Sequence, residues 1–176
     1  PPRSTPLYSS AASDVYKRQW LRTIRVLLIA RERRQNLARE LGASVTVTPA
    51  EAEEVVQVLT TGLGADAFYE GVGRPETVQD AVDLVRRGGS VCLIGLSDGE
   101  ALITPRTWLI KEVSVTSAIA YVHEDFEMVM GMMADGRVRV DPLHTSTVGL
   151  DGLAGALNDL GSGSSKHIKV LVDPHA

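Results

Sequence analysis

The sequence predicts an α/β fold with a doubly wound parallel sheet. Short apolar runs, such as IRVLLIA at residues 24–30 and SVCLIGL at residues 90–96, are typical of strands that are buried on both faces. Segments with the apolar period of a helix alternate with these runs, as in a sheet that is covered by helices on both sides. With 176 residues, 44% of them hydrophobic and 23% charged, the chain is long enough for one domain with a sizeable core.

The first five predicted elements alternate between strand and helix. Residues 24–30 predict a strand, and the apolar positions of residues 37–41 recur at helical spacing before a glycine that suits a helix C-cap. Residues 44–48 (SVTVT) are β-branched and alternating, which favours a second strand. Residues 50–60 repeat the helical period, and residues 66–70 (DAFYE) predict a third strand.

Glycine and proline mark the limits of the next elements. Residues 71–73 (GVG) predict a tight loop after the third strand, and Pro75 suits the first turn of a helix. The apolar stripe of that helix runs to Val85. We expect the helix to end at residues 88–89 (GG), before a fully apolar fourth strand at residues 90–96.

The remaining sequence predicts two strands and two helices. Residues 113–120 form the fifth predicted strand, and residues 125–134 a methionine-rich helix. Residues 153–160 predict a last short helix, and residues 168–172 a closing strand. The alternation of strand and helix therefore continues to the end of the chain.

Composition and charge exclude several classes of function. The net charge of −4 does not favour nucleic-acid binding, and no run approaches the ~18 apolar residues that a membrane helix needs. The single cysteine, Cys92, lies in an apolar strand and is expected to be a buried thiol in a reducing, cytoplasmic setting. The four histidines show no metal-ligand spacing, so the sequence predicts no catalytic residue and no metal ligand in this chain.

The N-terminal segment differs in character from the rest. Residues 1–19 are rich in proline and serine and lack a sustained apolar period, which is typical of a disordered tail. The stretch SSAASDVYKRQ at residues 9–19 resembles the translated adapter sequence found on fragments assembled from environmental sequencing. We therefore expect residues 1–19 to be a non-native or disordered tail, and residues 20–176 to be a truncated domain.

Four sequence blocks together resemble the cofactor domain of medium-chain dehydrogenases, the group that includes zinc-dependent alcohol and polyol dehydrogenases. They are GADAFYEGVG at residues 64–73, LVRRGGSVCLIGL at 84–96, KEVSVTSAIAYVHEDFEMVM at 111–130 and KHIKVLVDP at 166–174. The resemblance implies a Rossmann-type, dinucleotide-binding domain with strand order 3-2-1-4-5-6. It also implies that this sheet is incomplete, because the first strand and its Gly-rich loop have no counterpart in the sequence.

The resemblance implies hydride transfer between NADP(H) and an alcohol, polyol or carbonyl substrate. Zinc would assist in the intact protein through an N-terminal half that this chain lacks, so the fragment alone is expected to be inactive. The intact enzyme would be a homodimer or homotetramer. Two alternatives stay open: a zinc-free quinone or enone reductase of the same superfamily, and a non-catalytic nucleotide-binding module.

The resemblance also assigns cofactor contacts. A loop after the third strand would pass beside the nicotinamide half, and the ends of the next two strands would lie under the ring or beside it. A lysine of the closing strand would meet the pyrophosphate. The residues concerned are Val72, Gly73, Gly95, Leu96, Ser117, Ala118 and Lys169.

An arginine cluster follows the first predicted strand and suggests a preference for NADP, with NAD as the alternative. NAD-preferring relatives end this strand with an acidic residue, whereas this strand is followed by Arg31 and then by ERR. Cations in the first turn of a helix oppose its dipole, a cost of roughly 0.3–1 kcal/mol each that a bound 2′-phosphate would reverse. The alternative is a solvated basic helix start that Glu32 partly compensates.

Overall fold

The computed structural model describes residues 26–30, 32–162 and 165–176. The described residues divide into two compact units, of which the first ends at Thr48 and the second begins at Pro49. Every paired strand in the described residues is parallel to its neighbour. The predicted tail at residues 1–19 and the candidate phosphate ligand Arg31 lie outside the described residues.

The first unit contains one strand–helix–strand segment. Its elements are β1 (Leu27–Ile29), α1 (Glu32–Glu40) and β2 (Val45–Val47). β1 and β2 are neighbours, with Leu28 opposite Thr46. Gly42 follows α1 with a φ of +104°, a conformation that favours glycine, so the predicted helix end is confirmed.

The second unit carries the larger sheet. After a 3-10 turn at Pro49–Glu51, its elements are α2 (Ala52–Thr60), β3 (Ala65–Glu70), α3 (Pro75–Leu84), β4 (Val85–Leu93), α4 (Pro105–Lys111) and β5 (Ser114–Ser117). The strands lie in the order β3-β4-β5. The β1–β2 and β3–β4–β5 neighbours correspond to the 3-2 and 4-5-6 portions of the predicted strand order.

The C-terminal segment forms a separate two-stranded sheet. It consists of α5 (His123–Ala134), β6 (His144–Val148), α6 (Leu153–Gly161) and β7 (Lys169–Val172). β6 and β7 are parallel, with Val148 opposite Val172. The α5 and α6 helices and the β7 strand are confirmed within one or two residues of their predicted positions.

The buried core of the second unit lies where α3 packs on β4. Ala81, Val82, Val85 and Val91 are all at most 1% exposed. Two polar side chains connect α3 with α4 and the residue before it. The Gln79 side-chain oxygen accepts hydrogen bonds from the Thr104 amide and the Trp108 indole. The Lys111 ammonium donates to three backbone carbonyls where α3 passes into β4, those of Val82, Asp83 and Val85.

The predicted end of α3 is wrong. The helix ends at Leu84, and Val85 begins β4, so residues 88–89 lie inside the strand rather than terminating the helix. The register explains the difference, because Ala65 pairs with Val85 and Ala67 pairs with Ser90. The intervening residues 86–89 form an irregularity that the glycines permit, and Gly88 has a φ of +67°.

Other details differ from the sequence prediction, including β5, which ends at Ser117 rather than at residue 120. β4 ends at Leu93 rather than at residue 96, since the Ile94 and Gly95 amides both turn to donate to the Glu70 carbonyl. Cys92 is half-buried rather than buried, because it lies on the face of β4 opposite the fully buried Val91. The sequence did not indicate α4 or β6.

We expect Val82→Ala to lower the free energy of unfolding by about 2 kcal/mol, because it removes two methyl groups from a fully buried position. Val58→Ala makes the same chemical change at a helical position that is 72% exposed, and should change stability by less than about 0.5 kcal/mol. Urea-induced unfolding followed by tryptophan fluorescence measures both, since Trp108 packs against this core. Equal midpoints for the two variants would contradict the assignment.

The acidic side chains of α3 make a pH-dependent contribution. Partial burial, followed by the charges of Asp83 and Glu76, raises the pKa of Asp80 above its usual 3.8. A carboxyl group with a raised folded-state pKa costs stability at neutral pH, and the cost disappears as the pH falls through that pKa. Asp80→Asn should therefore stabilise the chain at neutral pH and have no effect below about pH 3. Urea unfolding across this range tests it, with exposed Asp98→Asn as the control.

Candidate functional site

A cleft of about 340 Å³ lies at the carboxyl ends of the three parallel strands of the second unit. Its lining residues close or directly follow β3, β4 and β5, or belong to α3 and the residue before it. They are Glu70, Arg74, Val78, Leu93, Ile94, Gly95, Leu96, Ser97, Ser117, Ala118 and Ile119. Open α/β sheets bind ligands at the carboxyl ends of their strands, so this cleft is the candidate functional site.

Two glycines bring the backbones of neighbouring loops into close contact beside this cleft. A Cβ atom added at Gly95 would lie 2.3 Å from the Gly73 amide nitrogen. A Cβ added at Gly73 would lie 2.3 Å from the Leu96 carbonyl oxygen, and Gly73 also has a φ of +70°. The loops after β3 and β4 therefore approach as closely as they do because both residues lack a side chain.

Glu70, the last residue of β3, holds these two loops together. Its backbone carbonyl accepts hydrogen bonds from the Ile94 and Gly95 amides at 2.8 and 2.9 Å. Its side-chain Oε1 accepts from the Val72 and Gly73 amides at 2.7 and 3.0 Å. Glu70 is only 2% exposed, so these bonds form in a largely desolvated position.

The cleft brings together four of the predicted cofactor-binding residues. Gly95 and Leu96 line it from the loop after β4, and Ser117 and Ala118 from the end of β5. The Ala118 amide donates to the Leu93 carbonyl at 3.0 Å, which keeps the end of β5 against β4. A role of these four residues in ligand binding stays a prediction.

The other predicted residues are placed differently. Gly73 lies against Gly95, whereas Val72 is 64% exposed and is absent from the cleft lining. Lys169 begins β7 and borders a separate cavity of about 380 Å³ next to His144. The structure does not place Lys169 in the cleft.

The sequence analysis did not single out two charged residues of the cleft, Glu70 and Arg74. The signal was present, because one closes a strand and the other directly follows the glycine loop. The Arg74 guanidinium lies 3.8 Å from the Glu76 carboxylate and remains largely exposed. What the sequence could not reveal is that the Glu70 carboxylate turns back onto the amides of its own loop.

The described residues do not fit a metal site. Within residues 26–30, 32–162 and 165–176, no group of three or more His, Cys, Asp or Glu side chains is arranged to hold a metal ion. The same residues include no helix with the length and apolar character required to cross a bilayer.

Comparison with known proteins supports a dehydrogenase fold. The profile of a family described as zinc-binding dehydrogenase matches residues 23–135. The (R,R)-butanediol dehydrogenase of Bacillus subtilis (strain 168) is 31% identical over 148 residues, which cover 81% of this chain and 41% of that protein. The chain therefore spans about two fifths of the length of this curated relative.

Two solved structures show the same fold. A zinc-binding dehydrogenase from Sinorhizobium meliloti 1021, bound to NADP, aligns with a TM-score of 0.72 and 26% identity over 86% of this chain and 46% of its own. An alcohol dehydrogenase from Escherichia coli CFT073, complexed with NADH, aligns with a TM-score of 0.75 and 20% identity over 84% and 44%. The predicted Rossmann-type fold is confirmed.

We expect Gly95→Ala to destabilise the chain by about 1–3 kcal/mol, because the added methyl group would overlap the backbone of Gly73. Gly131→Ala is the matched control: nothing lies within 4 Å of its added Cβ on α5, and the change should stabilise the helix by up to about 1 kcal/mol. Urea unfolding of both variants tests this. Unchanged stability in Gly95→Ala would show that the two loops separate readily.

Proposed function

We propose, because the chain belongs to the zinc-binding dehydrogenase family, that residues 20–176 are the cofactor-binding part of an alcohol or polyol dehydrogenase. The cleft at the carboxyl ends of β3, β4 and β5 is the observation that carries the proposal. Its position follows the general rule for nucleotide-binding α/β sheets, and its glycines allow the loops after β3 and β4 to lie against each other beside it.

We propose that the cleft receives the nicotinamide half of a dinucleotide. Gly95 and Leu96 would lie beneath the nicotinamide ring, and Ser117 and Ala118 would flank it from the end of β5. Gly73 and Val72 would border it through the backbone of their loop. When bound, the nicotinamide supplies the hydride acceptor or donor. The contribution of this chain is to orient the ring and to exclude water from one of its faces.

The cofactor preference is a finer part of the proposal. We assign NADP on the basis of Arg31, because a guanidinium at that position would bind a 2′-phosphate with two hydrogen bonds, and NAD is the alternative. Lys169 would meet the pyrophosphate through its charge. In this structure Lys169 borders a separate cavity rather than the cleft.

The whole protein would supply what the cleft does not. We propose that zinc and the alcohol or carbonyl substrate bind to a part of the enzyme other than the described residues, which hold no fitting metal site. The whole enzyme would act in the cytoplasm as a homodimer or homotetramer, without nucleic-acid or membrane partners. Residues 1–19 would then be a non-native or disordered tail that plays no part in the reaction.

The primary test is steady-state turnover by the complete enzyme, expressed from its uninterrupted reading frame, with a panel of alcohols and polyols and both cofactors. Oxidation of an alcohol that stops when zinc is chelated is the expected result. Zinc-independent reduction of a quinone or enone would instead support the zinc-free alternative. Dinucleotide binding without turnover of any substrate would support a non-catalytic module.

We expect Arg31→Asp to weaken binding of NADP⁺ at least about tenfold and to leave NAD⁺ binding little changed, since charged hydrogen bonds to the 2′-phosphate are lost. Arg106→Asp makes the same charge change at an exposed position of α4 and should alter neither affinity. Calorimetric titration of the complete enzyme with both cofactors measures this. An unchanged ratio of the two affinities in Arg31→Asp would disprove the phosphate contact.

A further inference from the structure

We propose that the buried Glu70 carboxylate is a ligand-binding residue of the cleft: its Oε1 anchors the loop after β3, and its Oε2 accepts a hydrogen bond from the bound dinucleotide. The negative charge of this carboxylate would favour the oxidised cofactor, whose nicotinamide ring is cationic, over the reduced one. This inference rests on the proposed function and adds a specificity-determining residue to it.

The first step is that Oε1 is fully engaged. It accepts hydrogen bonds from the Val72 amide at 2.7 Å, the Gly73 amide at 3.0 Å and the Thr77 hydroxyl at 2.9 Å. Three donors on one oxygen fix the orientation of the carboxylate, because rotating it would break all three bonds. The orientation of Oε2 is thereby fixed as well.

The second step is that Oε2 is left for a ligand. In the part of the chain that the structure describes, no donor forms a hydrogen bond to Oε2, although the residue is only 2% exposed. No fully buried side-chain oxygen there lacks a partner, so Oε2 is not completely enclosed, and Glu70 is one of the residues that line the cleft. Oε2 lies next to Gly95, 2.8 Å from the position that a Cβ atom would take there.

The third step is that the charge of this carboxylate is not balanced by an ion pair. Arg74 shares the cleft, but its ion pair is with Glu76. Among the described residues, no cation forms an ion pair with Glu70. A buried carboxylate with one free oxygen favours a ligand that brings a donor or positive charge.

The fourth step concerns the surrounding backbone. The amides of Val72, Gly73, Ile94 and Gly95 all donate to Glu70 itself. These amides are thus already used, and this part of the cleft presents acceptors rather than the free N–H groups that bind phosphate. Acceptors of this kind suit the amide, hydroxyl and cationic groups of the nicotinamide half of the cofactor, whereas the anionic pyrophosphate would need donors.

Glu70→Gln tests the inference with the smallest change of shape. The three donors around Oε1 require the amide oxygen of glutamine on that side, so its NH₂ group would face the cleft in place of Oε2. In the complete enzyme, this variant should bind reduced cofactor about threefold more weakly because the acceptor is lost, and oxidised cofactor at least about tenfold more weakly because the negative charge is lost as well. Thr77→Val removes one anchoring donor without altering the cleft-facing oxygen, and should affect both forms equally.

Fluorescence titrations with both oxidation states decide between the outcomes. Equal weakening of the two forms in Glu70→Gln would show that Glu70 is only a structural anchor. Unchanged affinities would show that it has no role in binding. Either result overturns the inference.

If Glu70→Gln does not fold, as judged by circular dichroism, Glu70→Asp replaces it. This variant keeps the charge but withdraws the acceptor, so both forms should bind at least about threefold more weakly, and wild-type affinity would overturn the inference. Failure of the wild-type enzyme to bind either form would refute the proposed function instead.

Discussion

The hydrogen bonds of Glu70 are the interaction on which the geometry of the cleft depends. Its backbone carbonyl holds the chain that leaves β4, and its side chain holds the chain that leaves β3. A single residue thus fixes two loops relative to each other. This arrangement is available only because Gly73 and Gly95 let the two backbones pass without an intervening side chain.

The core beneath the cleft keeps β3, β4 and β5 in register. Valine and alanine fill the contact between α3 and β4, and small side chains let the helix lie close to the sheet. The Lys111 ammonium donates to the Val82 and Asp83 carbonyls, which have no helical partner because α3 ends at Leu84, and to the Val85 carbonyl at the start of β4. The end of each strand is consequently held by packing below it and by hydrogen bonds beside it.

The sequence was sufficient to predict the elements that have a strong apolar period. The β1 and β4 strands are apolar runs, and the α3 and α5 helices have a clear proline start or helical repeat. The seven-residue α4 is too short for its period to be distinct, and β6 (HTSTV) is largely polar and exposed. The α3–β4 boundary was missed because Val85 continues the apolar spacing of the helix while its backbone is already extended.

Site residues were less predictable than the strands and helices, since their roles depend on contacts between loops. The order of strands alone places Gly95, Leu96, Ser117 and Ala118 at one edge of a parallel sheet, and the structure brings them into one cleft. The orientation of the Glu70 carboxylate depends on three donors supplied by the loop and by Thr77, and no local pattern encodes that. Lys169 belongs to a second sheet, so its strand position gave no information about its distance from the cleft.

These contacts also determine what kind of ligand the cleft accepts. A glycine-rich loop at a helix N-terminus binds phosphate because its amides are free and point outward. In this cleft the glycines serve a different purpose: their amides point inward to Glu70, and the surface left to a ligand carries a carboxylate oxygen. The glycines of this cleft therefore help to build an acceptor site. The distinction follows from the direction of four N–H groups rather than from the residue types.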